Sequence, residues 1–165
     1  MIEEFAMTSA ALDWDDAPAA HEEATAQFVT FRLGPEWYAV GIDAVREVVR
    51  VERLTYLPSA PAQIAGAINL RGNIVSVTDP KRLFAMPAGA AGEQSRIVVI
   101  ESPTAETGLL VDEVGQVVAI APSQLEPPLA TFTPAQAAYI EHVCRCDGRL
   151  LAILKGEKLL HPGEN

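Results

Sequence analysis

The sequence predicts an all-β barrel or sandwich. Three observations carry that expectation. Apolar and β-branched runs are short and alternating, turn signals such as Gly-Pro, Gly-Asn and Asp-Gly recur at close spacing, and no stretch sustains the apolar periodicity of a long amphipathic helix. With 165 residues, 49% of them apolar, the chain is long enough for one domain with a real core or two small subdomains sharing one.

Residues 1–26 hold seven acids (Glu3, Glu4, Asp13, Asp15, Asp16, Glu22 and Glu23), no Lys or Arg, and no strand pattern. They read as a solvated, disordered tail that could hold a short helix around Ala10-Ala11-Leu12, with Leu12 and Trp14 as its large apolar anchors; the alternative is an acidic docking peptide. The formal net charge is −10, of which the tail supplies −7, so only −3 belongs to the remainder. That balance argues against nucleic acid as a partner, because phosphate binding needs clustered Lys and Arg.

Regular structure is expected from Gln27. Phe28 to Leu33 and Trp37 to Val40 form a hairpin around Gly34-Pro35-Glu36. Asp43 is placed to cap a short helical turn, and Val49-Arg50-Val51-Glu52 alternates as a strand. The central feature is Ile68-Asn69-Leu70-Arg71-Gly72-Asn73-Ile74-Val75-Ser76-Val77. With Gly72 and Asn73 as a two-residue turn, Arg71 pairs with Ile74, Leu70 with Val75, Asn69 with Ser76 and Ile68 with Val77. Ile68, Leu70, Val75 and Val77 then share an apolar face, and Arg71 stands on the opposite face at the tip. Asp79-Pro80 reads as N-cap and first residue of a short helix through Phe84.

In the second half, Arg96 to Ile100 is a central strand. Gly108 to Asp112 and Gln116 to Ile120 follow as strands with Gly115 between them. Pro122 to Pro128 hold one helical turn and a loop. Tyr139 to Cys146 and Leu150 to Leu154 flank an Asp147-Gly148 turn, and Glu157 to Leu160 close the fold before a short tail, 161–165.

Catalytic signatures are lacking. No Gly-x-Ser-x-Gly, His-Glu-x-x-His or phosphate-binding glycine loop occurs, and the three histidines are scattered. His142, Cys144 and Cys146 alternate on one strand, but positions four apart there span about 13 Å, too far for one ion without bending. Cys144 and Cys146 would sit about 6.5–7 Å apart, at the limit of disulfide reach, so reduced thiols are expected. No enzyme activity, cofactor or metal is expected. With no apolar run of bilayer length and no secretory signal, the expectation is a cytoplasmic protein with no direct membrane insertion.

The ordered set Phe28-Val29-Thr30-Phe31-Arg32-Leu33-Gly34, Tyr38-Ala39-Val40, Ile42 to Val48, Pro61, Ile64, Gly66, Asn69-Leu70-Arg71-Gly72, Ile74-Val75, Asp79, Gly108 to Val114 and Glu157 to Leu160 resembles CheW, the bacterial chemotaxis coupling family, over roughly residues 27–160. Ser76 and Pro80 stand where many relatives carry Pro and Leu. Neither change opposes the fold, since Ser76 suits a strand and Pro80 a first helical position. The resemblance implies two small five-stranded, SH3-like barrels over a shared hydrophobic core, with a few short helices. It implies a non-enzymatic adaptor that binds the cytoplasmic hairpin tip of chemoreceptors (methyl-accepting chemotaxis proteins) and the regulatory domain of a CheA-type histidine kinase in signalling arrays. Val45, Glu47, Gly66 and Arg71 match positions that line or support the receptor groove, with Asn69, Gly72 and Asn73 supporting the hairpin. Glu47 and Arg71 would orient a partner, or pair with each other on the surface. Alternatives are a CheW-like adaptor in a type IV pilus or surface-sensing pathway, one acting on a diguanylate cyclase or polar localisation factor, or a small-ligand sensor using the inter-barrel cleft.

Overall fold

Among the described residues, ten strands are joined by turns and irregular segments, and the longest helix has five residues. The computed structural model describes residues 24–87, 89 and 91–162. The tail expectation up to Glu23 and the last three residues of the C-terminal tail lie outside the described residues. The strands are β1 (Ala26–Leu33), β2 (Glu36–Gly41), β3 (Val45–Arg50), β4 (Ile64–Leu70), β5 (Asn73–Thr78), β6 (Arg96–Glu101), β7 (Glu106–Val111), β8 (Glu113–Ile120), β9 (Ile140–Cys146) and β10 (Arg149–Leu154). Three short helices, α1 (Pro80–Leu83), α2 (Pro134–Ala137) and α3 (Gly156–Leu160), and two 3₁₀ turns, Ile42–Ala44 and Pro122–Gln124, complete it.

Two five-stranded sheets result, in the orders β9-β10-β2-β1-β8 (barrel one) and β3-β6-β7-β5-β4 (barrel two). All neighbours are antiparallel except β10 with β2 and β5 with β7. Among the described residues, each sheet is closed by a single bridge from the segment beyond its edge strand. After β3, Thr55 exchanges two backbone hydrogen bonds with Ala67 of β4, both 2.8 Å; after β8, Glu126 does the same with Val143 of β9, at 2.8 and 2.9 Å. Strand for strand, β8-β1-β2-β10-β9 reproduces β3-β6-β7-β5-β4. Barrel one is therefore a circular permutant of barrel two, and barrel two, residues 45–111, is inserted between β2 and β8.

Alternation along the strands makes three cores. On β6, Ile97 and Val99 fill barrel two with Ile68, Val75 and Val77, while Val98 and Ile100 point the other way. On β2 and β10, Ala39, Leu151 and Ile153 fill barrel one; Tyr38, Val40, Ala152 and Leu154 face outward. The outward sets meet in one shared core with Phe31, Phe84, Leu109, Tyr139 and Leu159. The Phe84 ring tilts against those of Tyr38 and Tyr139, its centroid 5.5 Å from each. A polar clasp also ties the sheets where β7 passes into β8. Lys81 Nζ, on a side chain only 7% exposed, donates to Asp112 Oδ1 at 2.9 Å, and the Gly34 N–H donates to Asp112 Oδ2 at 2.7 Å. Burial alone would raise the Asp112 carboxyl, but the Gly34 N–H and the Lys81 ammonium together hold it below its ordinary value.

Several sequence expectations are met and others corrected. Asp79 caps α1, accepting the Lys81 N–H at 3.0 Å with Pro80 at the first position, and β5 runs unbroken through Ser76. The central hairpin is shifted by one residue. Leu70 pairs with Asn73, Asn69 with Ile74 and Ile68 with Val75, so Arg71-Gly72 is the turn and Asn73 begins β5. Arg71 (φ 53°) and Gly72 (φ 88°) both lie in the left-handed region, as a type I′ turn demands. The shift preserves the apolar face, because both members of each pair change by one. Asp43 lies inside the 3₁₀ turn and caps nothing with its side chain; Gly41 holds that position. The third strand starts at Val45 instead of Val49, and Gly115 lies within β8 instead of before it. Strand β1 starts one residue early, Ala26 pairing with Ile120.

Candidate functional site

The Arg71 turn is held from two sides. Asn69 Oδ1 accepts the Gly72 N–H at 2.9 Å, a local side-chain bond that supports the left-handed backbone. Across the mouth of barrel two, Arg71 donates to Glu47 Oε2 at 2.8 Å; the Arg71 side chain is 69% exposed and that of Glu47 19%. The row of charge continues: Glu47 lies 3.9 Å from Arg46 Nε, and Arg46 bonds Glu106 of β7. Alternating signs thus run from the hairpin tip over β3 to β7. Such exposed, salt-screened pairs add little stability but fix side-chain orientation.

A β-bulge at Arg46 shapes this row. Val45 pairs with Ile100 and Glu47 with Val99, so the extra residue rotates the strand between them. Val45 consequently packs against the shared core beside Ile100, whereas Glu47 follows Val99 to the mouth of barrel two. Gly66 sits apart from both. A Cβ there would lie 2.5 Å from the Thr55 carbonyl oxygen, so Gly66 permits the bridge that closes barrel two. Of the residues singled out in the sequence, the structure brings Glu47, Asn69, Arg71 and Gly72 together. It places Val45 at the shared core, Gly66 at the barrel seam, and Asn73 at the foot of the turn.

Sequence reasoning missed the exposed apolar residues of the two edge strands. Edge strand β3 carries Val48, 41% exposed, opposite the fully buried Val98; edge strand β8 carries Val117, 50% exposed, opposite Val29. Val98 and Val29 belong to the shared core, so both exposed valines extend the face that the two barrels share. Gln116 to Ile120 reads as a strand, but only the sheet order reveals that β3 and β8 are edges. Cys144 is buried in barrel one, which raises its thiol above the ordinary value, and Cys146 is half-buried beside that core.

The fold is a two-barrel module whose edge strands β3 and β8 each expose a valine, with a row of alternating charge from the hairpin tip over β3 to β7. Residues 27–164 match the CheW-like domain family. The chain is 28% identical over 151 residues to the chemotaxis protein CheW of Treponema pallidum, covering 89% of each, and 28% identical to that of Klebsiella aerogenes, covering 88% of this chain and 87% of the relative. The crystal structure of the scaffolding protein TtCheW from Thermoanaerobacter tengcongensis superposes with a TM-score of 0.76 at 32% identity, covering 88% of this chain and 94% of that one. Protein PilI of Pseudomonas aeruginosa is 29% identical over 86 residues, 52% of this chain and 48% of its own length. The chain belongs to the CheW family, and it is a coupling adaptor of chemotaxis signalling.

Proposed function

We propose that this adaptor joins the cytoplasmic hairpin tip of a methyl-accepting chemoreceptor to the regulatory domain of a CheA-type histidine kinase, without catalysing a reaction, in the cytoplasm at membrane-associated arrays. The observation that carries the receptor half is the pairing of exposed edge-strand valines with a fixed charged row. A receptor tip is helical, and a helix laid in a groove needs apolar anchors at its contact face and a few charges to set its direction. Val45, Val48 and Val117 supply the first. Glu47 and Arg71 supply the second, and they act on orientation and wrong-partner rejection more than on affinity. Gly66, Asn69, Gly72 and Asn73 serve by holding barrel and turn in shape. Co-sedimentation with receptor-containing membranes, with and without kinase, tests this reading. Val48→Asp and Val117→Asp should each reduce receptor-dependent sedimentation while leaving the melting temperature within a few degrees. Unchanged sedimentation in both would remove the groove assignment.

The similarity to PilI favours a second reading, in which the same surface serves a type IV pilus or surface-sensing pathway. Parallel sedimentation with receptors of each pathway separates the two.

A further inference from the structure

Among the described residues, barrel two is closed between β3 and β4 by the Thr55–Ala67 bridge. Beside that bridge the strands part, leaving a cleft of about 510 Å³. Val49, Ile68 and Leu70, which pack in the barrel-two core, line it together with Arg50, Arg53 and Asn69. Arg50 and Arg53 are exposed and make no hydrogen bond or ion pair among the described residues. Glu52 also borders the cleft, so its rim is net positive by one charge. In an antiparallel ladder the outward-facing backbone groups recur every second residue. The N–H and C=O of Asn69 therefore face the same side as those of Ala67, into the cleft. An apolar floor, a basic rim and an open strand edge suit an extended acidic peptide with apolar residues two apart.

The chain carries such a peptide in Leu12-Asp13-Trp14-Asp15-Asp16, within a segment of seven acids and no Lys or Arg. In an extended conformation Leu12 and Trp14 share one side and Asp13 and Asp15 the other. Reach is sufficient. Arg50 is separated from Ala26 by a short path through the Phe28–Gly41 pair, a 3₁₀ turn and strand β3, which laid end to end spans at most about 38 Å. The twelve residues from Trp14 to Ala26 span about 40 Å when extended.

We propose that residues 12–16 of this chain dock in the cleft between β3 and β4 of the same molecule, adding a short strand along Asn69, with Leu12 and Trp14 on the apolar floor and the aspartates against Arg50 and Arg53. The tether makes this intramolecular, with an effective concentration of about 1 mM. A closed-to-open ratio of about ten then requires an intrinsic affinity of only about 0.1 mM.

Hydrogen–deuterium exchange on the full chain tests the docking without reference to any receptor. Amides of residues 12–16 should exchange about tenfold more slowly than an unstructured peptide. The protection should fall away in the double variant Arg50→Glu/Arg53→Glu and weaken in about 1 M salt. Should that variant fail to fold, Trp14→Ser, outside the barrels, gives the reciprocal readout: faster exchange at Asn69, whose N–H faces the cleft. Three results would overturn the proposal. These are unprotected exchange at residues 12–16 in the unaltered chain, protection that survives the arginine reversal or leaves Asn69 unmoved by Trp14→Ser, and protection lost on dilution, which would make a second copy the occupant.

Discussion

Replacing Arg71 by glycine separates the display role of this residue from any part it has in folding. At φ 53° an L side chain costs about 1–2 kcal/mol, and glycine removes that cost while adding about 0.5–1 kcal/mol of unfolded-state entropy. The ion pair with Glu47 is exposed on the arginine side and contributes about 0–1 kcal/mol. The Asn69 bond to the Gly72 N–H does not involve the Arg71 side chain and remains. These contributions nearly cancel, so Arg71→Gly should keep its melting temperature within about 4 °C of the unaltered protein. Arg71→Ala loses the same guanidinium but retains the strain and should be less stable than Arg71→Gly by about 1 kcal/mol. Both should lose a charge-assisted contact at the proposed receptor surface, about 1–3 kcal/mol, or roughly fivefold to 150-fold in affinity. Calorimetric melting of the pair and titration against a receptor-tip fragment measure the two effects separately. Arg71→Ala proving as stable as Arg71→Gly would contradict the left-handed turn and restore Gly72-Asn73 as the turn residues. Unchanged receptor affinity in both would remove Arg71 from the binding surface.

Gly66→Ala should lower the melting temperature sharply. The new methyl meets the Thr55 carbonyl at 2.5 Å, overpacking costs about 1–3 kcal/mol, and the bridge closing barrel two is at stake. An affinity loss without a stability loss would instead make Gly66 a contact residue. Asp112→Asn should destabilise at neutral pH by about 1–3 kcal/mol, because it leaves the Lys81 ammonium poorly matched. As the folded-state carboxyl lies below its unfolded value, this stabilisation is present above the ordinary carboxylate range and is lost as pH falls through the folded value. Denaturant melts of both proteins should therefore converge in acid, and a gap constant with pH would contradict the clasp.

The architecture was legible where a signal is local. Asp79-Pro80 opens α1, Asp147-Gly148 turns β9 into β10, and the apolar run at Ile97 to Ile100 is an interior strand. The turn at Arg71 was misplaced by one residue because Gly72-Asn73 is the better local turn. A side-chain bond from Asn69 and an ion pair from Glu47, distant in sequence, tip the choice. Strand β3 begins earlier than its alternation shows, because the bulge at Arg46 breaks that alternation. The Glu47–Arg71 pair was foreseen as one of two readings, and it forms. Arg46 with Glu106, and the single-residue closures at Thr55 and Glu126, had no local signature, since each depends on which strands become neighbours. The exposed valines of β3 and β8 were hidden for the same reason.

The insertion of one barrel into the other sets an order on folding. Every pairing in barrel two lies within residues 45–111, so this unit can close once β7 has left the ribosome. Barrel one must hold its first hairpin in waiting, because Trp37 finds Leu151 and Ala26 finds Ile120 only after the second barrel has been made. Loop closure over that distance is the slow part of such a topology. Until β10 arrives, Phe31, Leu33, Tyr38 and Val40 have no complete core to enter. The finished barrel two offers them a surface through Val98, Ile100, Leu109 and Val111, so the first-made barrel acts as a template on which the last-made one is assembled. A refolding time course followed strand by strand should find amides of β6 and β7 protected before those of β1 and β2.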